Sequence, residues 1–324
     1  MDGVDTQTGR YTGLFGEVIR RSLVLVALAG PLLAACWWVG TQRPLGALTL
    51  GVYIAVAGVL ILGEHWLAFD RAWGSAIRGS KTDYLYVIVA SAMEQASFIL
   101  CVTAIAAVGR WMAGQFQIRL WPSNWSLGFQ VAAALLIADV GAYFRHRLSH
   151  RSAMLWRLHR IHHSMTELYW IRSAYTHPLE QLFIMMAIML PISFLGAGND
   201  VVAVVAFVFG LSGLLQHANI DTRSSVLNYV FATPEVHRIH HGANERANNS
   251  NFSAFFVLMD IVFGTYDRPA RSPAPLRVGL ADVTAFPKDF LSHLAMPFRR
   301  VPVGRGGNGD WGRGHGEVAA ANER

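Results

Sequence analysis

Four uninterrupted apolar blocks, at 22–40, 45–63, 84–108 and 126–144, most restrict what this 324-residue chain can fold into. A helix needs about 20 apolar residues to cross a hydrocarbon core about 30 Å thick, and each block has about that length or more. Only 15% of the residues are charged, against about 25% in a soluble domain, and mean hydropathy is +0.32. Two shorter apolar stretches, 181–196 and 201–215, predict a tight membrane hairpin. Trp37, Trp38, Trp66, Trp111, Trp121 and Trp125 fall at or near block ends, where amphipathic aromatic rings meet the lipid headgroups. Strand signals are weak. The expected fold is all-α: a polytopic membrane helical bundle of about four spans plus a short membrane hairpin, with a cytosolic histidine-rich helical cap.

The side of the membrane follows from the arginines. The net charge of +6 is almost entirely Arg, with Lys only at 81 and 288. Six Arg (145, 147, 151, 157, 160 and 172) lie in one stretch with a single acid, Glu167. Positive charge favours the cytoplasmic side. Arg20 and Arg21 precede the first block, so four crossings return the chain to the cytoplasm at Arg145. The hairpin at 181–215 then leaves the chain on that same face. A bacterial inner membrane suits the Arg-rich, Lys-poor composition. The basic residues follow topology and no binding motif accompanies them, so no nucleic-acid partner is expected. Cys36 and Cys101 both lie inside apolar blocks, so no disulfide framework is implied. The chain divides into a polar segment (1–21), a membrane region (22–125), a histidine-bearing region (126–270) and a flexible basic tail (271–324).

Ten of the thirteen histidines fall between positions 146 and 241. His146 and His150 are four apart. His159, His162 and His163 read H-R-I-H-H, and His237, His240 and His241 repeat it. Residues at i, i+3 and i+4 share one helix face, so each cluster aims two or three imidazoles at one point. His177 precedes Pro178 just before the hairpin, and His217 follows its return, so each delivers a further imidazole to that face. Neutral imidazole suits Zn, Cu, Fe and Ni, and ten converging rings are enough for two ions. Haem ligands come singly from facing spans, unlike these crowded triplets. The H-E-x-x-H signature of zincin-type proteases is absent. Asp139 lies on the stripe of Tyr143, His146 and His150, placed to accept the second N–H of a ligand imidazole. Glu180, Asn219 and Asp260 are further partners of this kind. Glu94 lies inside the third block, where an ionisable residue is a functional feature by default.

The ordered set H-x-x-x-H (146–150), H-x-x-H-H (159–163), Q-H-x-N (216–219) and H-x-x-H-H (237–241) resembles the fatty acid hydroxylase/sterol desaturase superfamily. Asn251-Phe252-Ser253 and Met259 through Thr265 look like that family's ending, usually N-Y-G and then W-D-x-x-F-G-T. The resemblance covers about 139–267. Gly213 stands where some members have a histidine four before His217, whereas His177-Pro178 resembles the sterol C4-methyl oxidase and C5-desaturase branches. The resemblance implies two iron ions, O2 as co-substrate and a lipid whose unactivated C–H bond is hydroxylated, with desaturation as the alternative. It also implies an external electron donor: a reductase, a ferredoxin or a haem carrier, since no electron-carrier module is expected before 22 or after 270. A non-catalytic metal-binding or transport protein is the competing class. Its ligands should lie mid-span, whereas these cluster at span ends.

Overall fold

The computed structural model describes residues 3–5, 10–41, 45–116, 120–269, 277–280 and 286–299. Among these, the only strands longer than an isolated bridge are β1 (Gly3–Asp5) and β2 (Arg10–Thr12), paired antiparallel. Every other regular element is helical.

Helix α1 (Leu14–Gly40) starts before the first apolar block. It is followed by α2 (Leu45–Trp66), α3 (Lys81–Leu100), a π turn (Cys101–Ile105) and α4 (Ala106–Phe116). Then come α5 (Leu127–Arg151), α6 (Ala153–His163), α7 (Pro178–Leu195) and α8 (Asn199–His217). Five stretches are long and apolar enough to cross a membrane, and Leu50–Trp66 is a shorter apolar helix. The protein is an integral membrane protein. The two arms of the predicted short hairpin belong to this set, because their helices run on through polar ends (Pro178–Glu180 and Gln216–His217) that a count of apolar residues leaves out. Gly196 closes α7 with φ +96, a left-handed conformation that costs glycine little.

Helix α8 is the centre of the bundle. Of its most apolar 18 residues 72% are buried within the protein, against 39% in α5 and α7 and 22% in α3–α4. Between helices in lipid, close van der Waals contact replaces the hydrophobic effect as the driving force. Helices α5 and α7 meet at Gly141, where a Cβ would stand 2.1 Å from Ala187 O. Pro191 lies inside α7, four residues after Ala187, and has no N–H to give that carbonyl. Gly141→Leu is therefore expected to force the two helices apart, at roughly 1–3 kcal/mol for an overpacked contact. A lower melting temperature in detergent checks this, and an unchanged one would exclude the close contact.

The cap is built from short, well-capped helices. Ser152 ends α5 in an extended conformation and caps α6 through Leu155 N at 3.4 Å. The resulting corner turns the histidine stripes of α5 and α6 toward each other. Thr233 caps α9 (Pro234–His240) through Val236 N at 3.3 Å, with Pro234 pre-set for the first turn. Two further short helices, α10 (Glu245–Asn248) and α11 (Leu258–Val262), follow. The expected flexible tail is partly ordered: Gly279 N donates to His241 O at 2.9 Å. Helix α12 (Phe290–Ala295) packs on α3, and His293 is buried between Tyr86 Oη (3.0 Å) and Pro287 O (2.7 Å). Residues 270–276, 281–285 and 300–324, including Gly304–Gly309 and His315, lie outside the described residues.

Candidate metal centre

Nine of the ten predicted histidines converge in two groups. The first holds His146 and His150 from α5, His159 and His163 from α6, and His240 from α9. The second holds His162 from α6, His217 from the end of α8, and His237 and His241 from α9 and its C-cap. Within each group one nitrogen per ring lies within 4.8 Å of all the others. All nine residues are buried. The groups adjoin where the His163 and His241 rings stack, with centroids 4.7 Å apart.

Proton bookkeeping shows what the groups suit. Four rings turn Nδ1 to a backbone carbonyl: His146 to Phe252 O (2.8 Å), His240 to Ser250 O (2.7 Å), His162 to Tyr175 O (3.2 Å) and His217 to Gly213 O (2.8 Å). His159 turns Nδ1 to Glu180 Oε1 at 2.5 Å. A carbonyl or carboxylate oxygen accepts, so each Nδ1 carries the proton and each Nε2 of a neutral ring is bare. Yet His146 Nε2 and His159 Nε2 face each other at 3.1 Å, as do His162 Nε2 and His217 Nε2. Bare lone pairs at that distance repel unless a cation sits between them. His150 and His240 also present Nε2 atoms with no partner. Ligand nitrogens about 2.1 Å from one ion lie about 3.0–3.4 Å apart, depending on geometry, so the spacing fits a metal. Burial, reinforced by neighbouring rings, holds His162, His163, His237 and His241 well below the usual imidazole range, and His240 is pushed down to about 3. Neutral rings are the form that binds metal.

His177 is not brought to either group. It caps α7, with Nδ1 accepting from Leu179 N (3.1 Å) and Nε2 donating to Leu294 O (3.3 Å). Both nitrogens are used, so no lone pair remains for a metal.

The acidic residues also sort differently from expectation. Glu180 Oε1 accepts from His159 Nδ1 and also from Arg145 Nη1 at 2.9 Å. Asp139 touches no imidazole. It accepts from the backbone N–H groups of Ala254 (3.3 Å), Phe255 (2.9 Å) and Phe256 (3.2 Å). Asp260 accepts from Phe252 N and Ser253 N, both at 2.8 Å, and from Thr265 Oγ1 at 2.7 Å. The two carboxylates thus clamp 252–256, whose Phe252 O orients His146. Asn219 bonds the Asp70 backbone (3.0 and 2.8 Å) and so anchors the loop after α2. Asp139 meets a segment that returns over α5, Asp260 closes a local turn, and Asn219 meets the loop after α2.

Several site features had no sequence signal. The four carbonyl acceptors are backbone atoms. Asn251, at φ +55, bonds Val236 O (3.0 Å), Asp267 O (2.9 Å) and Asp267 N (2.8 Å), fixing the turn between Ser250 and Phe252. Its place in the closing motif was visible, though its task was not. Gly213, noted as a missing histidine, supplies a carbonyl to His217 instead. Glu94 lies away from both groups, with its Oε1 near Gly210 of α8.

Glu180→Gln is expected to weaken metal binding in the five-histidine group about 10–100-fold, the usual cost of losing a ligand's orienting partner. Metal titration of the variant reads this directly. Unchanged affinity would mean that Glu180 serves only Arg145.

A membrane helical bundle with two buried histidine groups at one end is a protein able to take two metal ions. The fatty acid hydroxylase family model matches residues 131–265, which include all nine converging histidines. An ornithine lipid hydroxylase of Rhizobium tropici, OlsE, is 31% identical over 77% of this chain and 75% of its own length. The chain belongs to the fatty acid hydroxylase family and is an oxidoreductase. The alkylglycerol monooxygenase of Danio rerio is 28% identical over 64% of this chain and 45% of its own. A very-long-chain aldehyde decarbonylase, GL1-1, of Oryza sativa subsp. indica is 29% identical over 57% and 31%. This chain thus spans less than half of those two relatives. No solved structure matches.

Proposed function

We propose that this protein is an O2-dependent lipid hydroxylase whose nine converging histidines hold two iron ions. The carrying observation is the pair of bare-nitrogen groups at the ends of α5 and α8. All-imidazole donor sets suit iron among other transition metals, and the family membership selects iron. The balanced reaction is lipid C–H + O2 + 2 electrons + 2 protons → lipid C–OH + H2O. Bound iron supplies activation of O2 toward a C–H bond that no protein acid or base can ionise.

The chain supplies orientation and exclusion. Carbonyls of Gly213, Tyr175, Ser250 and Phe252, with Glu180, hold five imidazoles in the ligand tautomer. Burial keeps water from the donor nitrogens. The apolar helices keep the site beside the bilayer, where an alkyl chain arrives and its polar head stays at the surface. The named substrates of two relatives, an ornithine lipid and an alkylglycerol, are both lipids with a polar head, and that class suits this geometry. The arginine distribution supports a cap on the cytoplasmic side of what we read as a bacterial inner membrane, with electrons supplied by a separate donor.

Donor groups at helix ends rather than mid-span disfavour a metal transporter. Purified protein should contain close to two iron atoms per chain. Lipids of cells with the gene should gain one oxygen relative to cells without it. A loss of two hydrogens would replace hydroxylation by desaturation, and iron-free active protein would overturn the metal assignment.

A further inference from the structure

One partly exposed aromatic side chain borders the five-histidine group. Trp156 is half-buried on α6. Its ring lies against three rings of the five-histidine group: His150 (centroids 5.1 Å), His163 (5.6 Å) and His159 (6.1 Å). At 3.6 residues per turn, Ala153 and Arg160 lie beside Trp156, and Arg157 follows about 100° round the helix next to them. Arg151 and Arg157 are exposed, and Arg160 is half-buried over the Phe286 ring (5.2 Å). Residues 145–163 contain five arginines and no acid. Arg145 is paired with Glu180, whereas Arg147, Arg151, Arg157 and Arg160 form no ion pair among the described residues. Met154, 73% exposed, adds an apolar contact beside them.

We infer that this face of α6 is the docking surface for an acidic one-electron carrier, with Trp156 as the shortest path inward to the five-histidine group. The inference rests on the oxygenase reading, which requires two electrons per turnover from outside the chain. Charge complementarity chooses the occupant: a basic patch steers an acidic partner and sets its orientation. Continuity with the site chooses the place: of the two rings that lie against three of these histidines, Phe252 is buried, whereas Trp156 is half-buried beside Arg151 and Arg157.

The test is anaerobic reduction of the iron-loaded protein by a reduced acidic [2Fe–2S] ferredoxin, followed by stopped-flow absorbance without lipid. The R151E/R157E variant should need about tenfold more ferredoxin for half-maximal rate, as reversal of steering charges implies, and should lose the salt dependence of the wild type. Reduction by dithionite should be unchanged. Trp156→Leu should slow reduction at saturating ferredoxin without moving the half-saturation point, and Trp156→Phe should recover most of the rate. Wild-type behaviour of R151E/R157E would overturn the surface. So would equal losses with both reductants at normal iron content, or a difference from wild type seen only in anionic vesicles and absent in phosphatidylcholine ones, which marks a lipid-binding patch. The readout needs no lipid. Normal reduction with no lipid oxidised would therefore strike the oxygenase reading and leave the docking surface standing.

Discussion

Replacing His162 with Ala is expected to take one of two metal ions out of each chain and to lower turnover at least about a thousandfold. His162 is one of only four donors in its group, and its bare Nε2 faces that of His217 at 3.1 Å. Deleting it leaves three donors and a buried void. A bound ion supplies several kcal/mol of stabilisation to the reacting charge, and about 4 kcal/mol corresponds to a thousandfold in rate. The paired control is His177→Ala. That ring caps α7 and offers no free lone pair, so the variant should keep both ions and lose about 1 kcal/mol of stability, as for a lost N-cap. Metal analysis of the two purified proteins decides the matter. Two ions retained in the His162 variant would break the assignment of the four-histidine group, and one ion lost from the His177 variant would restore His177 as a ligand.

Asp139→Ala is expected to be the most damaging change outside the histidines. Its carboxylate accepts from three consecutive backbone N–H groups, at 254, 255 and 256. Each buried donor left unpaired costs about 1–3 kcal/mol, so losing the partner of all three should cost at least about 3 kcal/mol. The consequence is also chemical. The segment that loosens carries Phe252 O, the acceptor that fixes His146, and adjoins Ser250 O, which fixes His240. Metal retention should therefore fall together with the melting temperature. A variant that melts and binds metal like the wild type would show that Asp260 alone holds the segment.

These two residues also mark how far sequence could be read. The apolar blocks became helices and each H-x-x-H-H cluster formed a tight set of rings because both signals are local: run length decides the first and spacing along one helix the second. His177 shows where locality misleads. A histidine before proline at a helix start looks like a ligand once other ligands are nearby, yet the same position suits a side-chain cap, and only the placement of Leu294 decides between them. Asp139 lies on the right stripe for an imidazole partner, but its partner is set by a return of the chain more than a hundred residues later. The carbonyls of Tyr175, Gly213, Ser250 and Phe252 have no side-chain signature at all. Spacing therefore exposed the donors, whereas the carbonyls that aim four of the nine carry no signal in the sequence.

Helices α6 and α9 each split their histidines between the two groups. On α6, His159 and His163 go one way and the adjacent His162 the other. On α9, His240 goes one way, and His237 and the capping His241 the other. An ion taken by either group therefore fixes the rotation and position of both helices on behalf of its neighbour. The ordering cost of assembling the second group has then largely been met, and the same gain holds in the reverse order by linkage. The two sites of the wild-type protein are therefore expected to load cooperatively, with sigmoidal metal uptake, whereas a variant lacking one group's donors loses this coupling.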